Sequence, residues 1–190
     1  MRNNRTKTIK FLTTDELGRL FNCIENKRDK AIFLIAYRHG LRASEVGLLQ
    51  VNDIDFKKAR IIINRLKGSY SGEHPLQSDE IKIVKSHLLS RTRESPVLFT
   101  SNRNDPIHRR TLDWLMKQYC EEAEIPQDKR HFHCLKHTIA THMLDAGADL
   151  RFVQDWLGHS QIQNTVVYTY LTSTNRIETA RKVFLKLPHY

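Results

Sequence analysis

The sequence of 190 residues has few of the features that mark secreted, membrane-spanning or disordered proteins. Its three cysteines, Cys23, Cys120 and Cys134, are an odd number without a disulfide spacing, and no signal-peptide apolar run follows the N-terminus. No stretch approaches the roughly 18 consecutive apolar residues of a membrane span. With seven Gly and five Pro, the composition is that of a globular chain. We therefore expect a cytoplasmic protein with reduced thiols and no membrane partner.

Acidic residues are fewer than basic ones, and this imbalance indicates which class of molecule the protein binds. The chain has 31 Lys and Arg against 21 Asp and Glu, which gives a formal net charge of +10. A balance this basic favours a polyanion, and nucleic acid is the commonest one. The length suits a single domain with at most a short appendage.

Apolar residues recur at helical spacing over most of the chain, which predicts a mainly α fold of the α+β class. A capping box from Thr13 to Glu16 opens the first helix, and Gly40 suits the end of the second. Three short extended stretches interrupt the helices early and predict one small three-stranded antiparallel sheet. These stretches are 51–56, 60–66 and 73–76. Later helix boundaries are expected at Ser78, Pro126, Gly147, Gly158 and Ser160.

Several common chemistries are missing from the sequence. It has no phosphate-cradling glycine loop, no Gly-x-Ser-x-Gly turn and no Cys-x-x-Cys pair. His133 and His137 are four residues apart, as in a helical zinc site, but Cys134 stands where the glutamate of a metalloprotease would be. A solvated or hydrogen-bonded pair of histidines is the alternative interpretation.

A dispersed set of cationic and proton-transferring side chains stands beside breaks in the predicted elements. Arg42 begins a helix, where an exposed salt bridge to Glu45 is the alternative to a functional role. Lys67 lies in a turn, where a lysine is usually just solvated. His133 and Lys136 are three apart, so they share one helix side, with the apolar stripe turned away. The set is completed by His159 and by Tyr168, nine residues later.

Three segments make the pattern recognisable: Gly40-Leu41-Arg42-Ala43-Ser44-Glu45, His133-Cys134-Leu135-Lys136-His137-Thr138, and Leu157-Gly158-His159-Ser160 followed by Tyr168. The order of these segments, the distances between them and their flanking residues resemble those of the tyrosine recombinase, or phage integrase, family. The resemblance extends from about Leu12 to Leu171. The resemblance implies a helical catalytic domain with a small three-stranded sheet. We expect a basic N-terminal arm over 1–11, this catalytic domain over 12–175, and a C-terminal helix or tail over 176–190 that is exchanged between protomers.

The resemblance also implies a reaction, the site-specific cleavage and rejoining of double-stranded DNA. A tyrosine hydroxyl, Tyr168, keeps the phosphate as an ester, while Arg42, Lys136 and His159 offset charge on its non-bridging oxygens. Lys67 protonates the departing 5′-oxygen, and His133 assists proton transfer at the tyrosine. No metal or other cofactor is expected, because the cations are side chains.

Two tyrosines compete for the role of nucleophile. On a helix, Tyr170 shares the apolar stripe of Ile162 and Val166, whereas Tyr168 points to the far side. We therefore expect Tyr168 to be exposed and reactive and Tyr170 to be a core residue. The family's spacing from His159 also selects Tyr168.

The chain departs from the family pattern where an arginine is expected three residues after His133, because Lys136 stands there. Lysine offers a point charge in place of a bidentate fork. A catalytically weakened DNA-binding or accessory protein is therefore one alternative to a recombinase, and a type IB topoisomerase-like nicking and resealing activity is another. We expect a monomer in free solution and a homotetramer on paired DNA sites.

Overall fold

Eight α-helices and one small sheet make up the part of the chain that the computed structural model describes, residues 9–66, 68–169 and 184–185. None of these helices has the length and apolar character needed to cross a membrane. The predicted mainly helical fold with a three-stranded antiparallel sheet is confirmed. The helices are α1 Thr14–Cys23, α2 Lys27–Arg38, α3 Ala43–Val46, α4 Ser78–Leu89, α5 Arg109–Glu122, α6 Cys134–Asp145, α7 Leu150–Trp156 and α8 Gln163–Thr169.

Local capping signals fix the first two helices. The Thr13 side chain accepts a hydrogen bond from the backbone of Glu16, and the Glu16 carboxylate accepts one from the backbone of Thr13, so the predicted capping box is present. The second helix ends just before Gly40, which has a φ of +58°. Ser78 is the first residue of α4 and not its cap, because Gln77 takes the N-cap position.

The sheet has three antiparallel strands in sequence order; the first two are shorter than predicted, and the third has the predicted four residues but begins one residue earlier. The strands are β1 Ile54–Asp55, β2 Arg60–Ile63 and β3 Gly72–Pro75. The stretch before β1 forms a 3-10 turn, Val51–Asp53, because the Asp53 carboxylate accepts a hydrogen bond from the backbone N–H of Gln50 at 2.8 Å. After β2 the chain leaves the sheet, and the backbone N–H of Arg65 donates to the Ser71 hydroxyl.

Two clusters of buried side chains form the core, and α6 contributes to both. The larger cluster gathers α1, α2, α4, α5 and the inner face of the sheet, together with Cys134 and Leu135 at the start of α6. The smaller cluster joins Ile139, Ala140 and Leu144 of α6 to α7 and to Tyr168 of α8. The segment 133–138, which carries His133 and Lys136, therefore lies where the two clusters meet.

The segment before α1 is held against the domain in the residues that the structure describes. Ile9 packs on the smaller cluster, and the ammonium of Lys10 lies 2.6 Å from the Asp128 carboxylate. The backbone N–H of Leu12 donates to the Thr138 hydroxyl at 2.9 Å. Residues 1–8 of the predicted arm lie outside the described residues, as does 176–190 apart from 184–185, so the domain boundaries stay predictions.

Gly158 gives the first testable prediction, because its backbone sets the turn between α7 and His159. Its φ is +65°, and a Cβ there would lie 2.5 Å from the Tyr70 carbonyl oxygen. We expect Gly158→Ala to lower the free energy of unfolding by about 2 kcal/mol or more, because left-handed backbone strain adds to the clash. Urea denaturation measures this change.

Gly18→Ala is the matched control. Gly18 lies inside α1, and an added Cβ would meet nothing within 4 Å, so this substitution should raise stability by up to about 1 kcal/mol. Equal effects of the two substitutions would contradict the role given to Gly158.

Candidate active site

The structure brings five of the six expected site residues to one region. Arg42 caps α3, His133 caps α6, and Lys136 lies in its first turn; His159 follows α7, and Tyr168 lies on α8. The charges of Arg42 and Lys136 act on both His133 and His159, and that of Arg42 also acts on Tyr168, as expected for groups in one site.

Lys67, the sixth expected residue, lies outside the described residues. Ser69 and Tyr70, which follow it in the sequence, reach the site. The Ser69 hydroxyl accepts a hydrogen bond from Arg42 at 3.0 Å, and Ser69 pairs with His159 in an isolated antiparallel bridge. The backbone N–H of Tyr70 donates to the carbonyl of Gly158 at 3.0 Å. The role of Lys67 stays a prediction.

Arg42 is oriented by a buried carboxylate. Its Nη1 donates to Glu45 at 2.7 Å, which is the salt bridge anticipated as the alternative to a functional role. The Glu45 side chain is fully buried, whereas the Arg42 side chain is 33% exposed. Within the described part of the chain, Arg42 Nε and Nη2 have no hydrogen-bond partner. The salt bridge therefore holds the guanidinium in place and leaves one edge of it open to an anion.

Arg65 is a site residue that the sequence analysis did not single out. Its side chain is 1% exposed, and its Nη1 donates to the Glu45 carboxylate at 3.0 Å. The same guanidinium donates to the carbonyls of His39 and Gly40 after α2 and of Trp156 in α7. Burial lowers the pKa of Arg65. No local pattern marks this residue, because its partners are backbone carbonyls far away in the sequence.

Lys136 is buried, and the expectation that it shares an open helix side with His133 is wrong. His133 is exposed at the N-terminal end of α6, but Lys136 is 1% exposed, because α2, α7 and α8 pack around the helix body. Its Nζ donates to the carbonyl of Leu157 at 2.8 Å. Burial and the charges of Arg65 and Arg42 lower the pKa of Lys136 to about 6. A bound anion would favour its charged form.

His159 is held beneath the loop by α8. Its Nδ1 lies 2.9 Å from the Thr165 hydroxyl, and both residues are buried. Burial, followed by the charges of Lys136 and Arg42, lowers the pKa of His159 to about 3. The imidazole is therefore neutral at pH 7 and retains one N–H for donation.

Tyr168 is buried, and the expectation that it is exposed is wrong. It is 2% exposed and belongs to the smaller core cluster, because Thr165 and Tyr168 form the inward face of α8, while Ile162 and Val166 are half-buried. The hydroxyl lies 2.9 Å from His137 Nδ1. Burial raises the pKa of Tyr168 to about 12, although Arg42 acts in the opposite direction. Tyr170 lies outside the described residues.

The two histidines with zinc spacing are packed against each other. Their ring centroids are 4.5 Å apart, edge to face, and His137 is hydrogen-bonded to Tyr168. No group of three or more His, Cys, Asp or Glu within residues 9–66, 68–169 and 184–185 is arranged to hold a metal ion. His137 is therefore a second site residue whose role the sequence analysis missed; the only signal for it was its spacing from His133.

A groove of about 510 Å³ opens beside Arg42 and His133 and continues along α5. The groove is lined by Arg42, Ala43, Ser44, Arg109, Asp113, Lys117, Arg130, His131 and His133. Four of these side chains are arginine or lysine and one is aspartate, so the groove is positively charged. An extended polyanion lying along it would pass directly over Arg42.

With this geometry established, comparison with known proteins identifies the family. The family model described as "Phage integrase family" matches residues 10–175. The chain belongs to the phage integrase family. The resemblance noted from the motifs is thereby confirmed.

Members of the phage integrase family with curated names match most of the chain. Tyrosine recombinase XerA of Pyrococcus horikoshii is 34% identical over 179 residues, which cover 93% of this chain and 62% of XerA. The chain therefore spans less than two thirds of the length of that relative. The type 1 fimbriae regulatory protein FimB of Escherichia coli K12 is 33% identical over 171 residues, 86% of this chain and 85% of FimB.

Solved structures of integrase-family members share the fold. A crystal structure of XerA recombinase superposes with a TM-score of 0.77 at 27% identity, covering 100% of this chain and 68% of that one. XerH site-specific recombinase bound to its palindromic difH substrate gives a TM-score of 0.81 at 22% identity, over 98% of this chain and 56% of XerH. At that identity the XerH match supports a common fold alone.

The shared carboxylate of Glu45 yields the second testable prediction. Burial alone would raise its pKa, but hydrogen bonds from Arg42 and the charges of Arg65 and Lys136 outweigh burial and lower it. We expect Glu45→Gln to lower the free energy of unfolding by about 3–5 kcal/mol at pH 7, because Arg65 is left as a buried unpaired cation. Urea denaturation at several pH values measures the loss.

The pH dependence follows from the lowered pKa of Glu45. The stabilisation is complete above the unfolded pKa, near 4.5, and is lost as pH falls through the lower folded value. The parent and Glu45→Gln should therefore converge at acid pH. Glu73→Gln is the control, since its ion pair with Arg60 is exposed and should be worth at most about 1 kcal/mol. A Glu45 effect as small as the Glu73 effect would contradict the prediction.

Proposed function

We propose that this chain is the catalytic part of a site-specific DNA recombinase that cleaves and rejoins strands through a 3′-phosphotyrosyl intermediate. The observation that carries the proposal is the Tyr168 hydroxyl in a domain of the integrase family. Arg42 acts on it electrostatically, and it is hydrogen-bonded to His137, on which Lys136 and His159 act. XerA, which is named as a tyrosine recombinase, supports the reaction class. Because the chain spans only part of XerA, the activity is our proposal for this chain.

The proposed reaction follows from the residues in the site. The Tyr168 oxygen forms a bond to phosphorus as the bond from phosphorus to the 5′-oxygen breaks, so the ester energy is kept. Arg42, Lys136 and His159 stabilise the charge that develops on the non-bridging oxygens. We assign protonation of the 5′-oxygen to Lys67 and a proton-transfer role to His133. A 5′-hydroxyl of another duplex then reverses the step, and no metal ion is invoked.

We infer that the partner is double-stranded DNA bound along the groove beside Arg42. The net charge of +10 and the groove cations Arg42, Arg109, Lys117 and Arg130 support phosphate contacts on this side of the domain. The XerH relative was solved in complex with its DNA substrate. His133 lines the same groove and would therefore lie next to the bound backbone.

The assembly and the location remain as the sequence suggested them. We propose a monomer in free solution that becomes a homotetramer on paired DNA sites, with the segment 176–190 exchanged between neighbours. Residues 12–175 would form the catalytic domain. The three cysteines are unpaired, which fits a cytoplasmic location.

One observation favours a second candidate, a DNA-binding or accessory protein of the same fold with weakened catalysis. Lys136 replaces the expected arginine, and its Nζ is hydrogen-bonded to the carbonyl of Leu157. Covalent trapping on a nicked DNA substrate separates this candidate from an active enzyme. A two-site recombination assay then separates a recombinase from a topoisomerase-like activity.

The nucleophile provides the third testable prediction. We expect Tyr168→Phe to abolish the covalent protein–DNA adduct, because the attacking oxygen is deleted while the buried ring is kept. DNA affinity should stay within a few-fold of the parent, since the hydroxyl is not exposed. Denaturing gel electrophoresis of the trapped complex and a binding titration measure the two quantities.

Tyr170→Phe is the matched control and should still form the adduct. Peptide mapping of the trapped complex should locate the phosphotyrosine at Tyr168. A bond mapped to Tyr170 would overturn the assignment of the nucleophile.

Lys136 gives the fourth testable prediction. Lys136→Met keeps the aliphatic stem but removes the charge, and we expect cleavage to slow by about 10²–10³, the usual cost of losing one aligned charged donor. Lys136→Arg should retain cleavage because it also supplies a cation. Single-turnover cleavage of a nicked substrate isolates this chemistry from assembly.

The two substitutions at Lys136 separate the possible roles of this residue. Parent-like cleavage by Lys136→Met would remove Lys136 from the site. An inactive Lys136→Arg that still binds DNA would mean that the pocket is built around lysine and cannot use the larger cation.

A further inference from the structure

His137 lies closer to the reacting atom than any residue that the sequence analysis placed at the tyrosine. We propose that His137 is a further catalytic residue, whose Nδ1 accepts the phenolic proton of Tyr168 during strand cleavage. The inference rests on the proposed role of Tyr168 as the nucleophile. His137 then accepts the proton directly, and His133, to which we assigned a proton-transfer role, assists this step through its ring contact with His137.

The contact has the geometry that a proton transfer requires. The Tyr168 oxygen and His137 Nδ1 are 2.9 Å apart, within the range of about 2.6–3.2 Å needed for a general base. The ring centroids are 5.7 Å apart. Within the part of the chain that the structure describes, this is the one hydrogen bond that the Tyr168 hydroxyl makes.

His133 occupies a different position relative to Tyr168. Its ring packs edge to face against His137, and it lines the groove beside Arg42. Among the described residues, it makes no hydrogen bond to Tyr168. His137 therefore lies between His133 and the nucleophile, while His133 is the histidine that faces the proposed DNA path.

Burial of both side chains explains why the proton stays on the tyrosine before DNA binds. His133, His131, Lys136 and His159 interact electrostatically with His137, and Arg42 interacts with Tyr168, whose pKa it lowers. Burial, with these neighbouring groups as smaller causes, lowers the pKa of His137 to about 3, so its imidazole is neutral. The Tyr168 O–H therefore donates to an unprotonated Nδ1, and the proton of His137 is on Nε2.

A phosphodiester bound to Arg42, Lys136 and His159 changes this balance. Its negative charge favours the protonated imidazole, so His137 becomes more basic when substrate is present. In the proposed step the Tyr168 O–H bond breaks and the proton moves to Nδ1. The oxygen forms its bond to phosphorus, and the 5′-oxygen leaves with the electron pair of the broken ester bond and takes a proton from Lys67. Rejoining returns both protons.

The same helix carries a second histidine–tyrosine pair that serves as a matched control. His142 Nδ1 lies 2.9 Å from the Tyr37 hydroxyl, and both residues are half-buried. His142 also contacts the carbonyl of Leu12 through Nε2. The pair repeats the chemistry of His137 and Tyr168 five residues along α6, away from the groove.

The fifth testable prediction compares the full chain with His137→Asn and His142→Asn in single-turnover adduct formation on nicked DNA. At pH 7 we expect His137→Asn to be slower by about 10²–10⁴, the usual contribution of a general base, at unchanged DNA affinity. Its rate should rise about tenfold per pH unit, because without the base only tyrosinate attacks. His142→Asn should keep the parent rate and the parent pH profile.

Two further measurements separate proton transfer from a packing role. A substrate with sulfur in place of the bridging 5′-oxygen needs no protonation of its leaving group, so it should restore cleavage by Lys67→Ala but not by His137→Asn. Added imidazole should accelerate His137→Ala, whose shortened side chain leaves space for the missing ring. Urea denaturation of both His137 variants establishes that they are folded.

The outcomes distinguish this inference from the proposed function. The role of His137 is overturned if His137→Asn cleaves like the parent. It is also overturned if His137→Asn is slow with the parent pH profile and imidazole does not rescue His137→Ala. In both cases Tyr168→Phe stays inactive, so the proposed nucleophile is unaffected. An adduct formed by Tyr168→Phe overturns the proposed nucleophile and the inference together.

Discussion

The carboxylate of Glu45 is the interaction on which the site depends. It accepts hydrogen bonds from the backbone and side chain of Arg42 and from Arg65, all at 3.0 Å or less. Through Arg65 it is linked to the end of α2 and to the last residue of α7. His159 follows the end of α7 by three residues. Glu45 therefore sets the positions of both Arg42 and His159, the two residues proposed to bind the same phosphate. A buried charge network of this kind is costly unless every member is paired, which makes it intolerant of single substitutions.

Polar groups with catalytic potential lie inside the core rather than on the surface of the groove. Lys136, His159, Thr165 and Tyr168 are all buried, and each makes a hydrogen bond with a neighbour in the protein. Burial lowers the basicity of the lysine and the histidine and raises the pKa of the tyrosine. The resting site is therefore neutral at several positions where the proposed reaction needs charge. An incoming phosphate supplies the anion that reverses these shifts, so that activation of the groups is coupled to substrate binding.

Features encoded by neighbouring residues could be predicted from the sequence, and features created by distant contacts could not. The capping box at Thr13, the stop at Gly40 and the order of the three strands depend on local chemistry, and all three are present in the structure. The spacing of the motifs also selected Arg42, His133, Lys136, His159 and Tyr168, which the fold brings together. The burial of Tyr168 was missed because helical periodicity locates the buried face by its apolar residues. The inward face of α8 instead consists of Thr165 and Tyr168, whose hydroxyls are hydrogen-bonded to His159 and His137. Arg65 was missed because its partners, the Glu45 carboxylate and backbone carbonyls at the ends of α2 and α7, are distant from it in the sequence.

The lysine at position 136 is consistent with the charges that surround it. Glu45 is the carboxylate facing Arg42 and Arg65, and the pKa of Lys136 is lowered by both arginines. An arginine at this position would add a third permanent charge around a single acid, because a guanidinium cannot lose its proton in a protein. A lysine can be buried there without that cost, since its amine exists in neutral form at a pKa of about 6 and still donates to the carbonyl of Leu157. Of the three cations near Glu45, Arg42 and Arg65 are permanently charged, and Lys136 on α6 is the one that a bound phosphate can recharge.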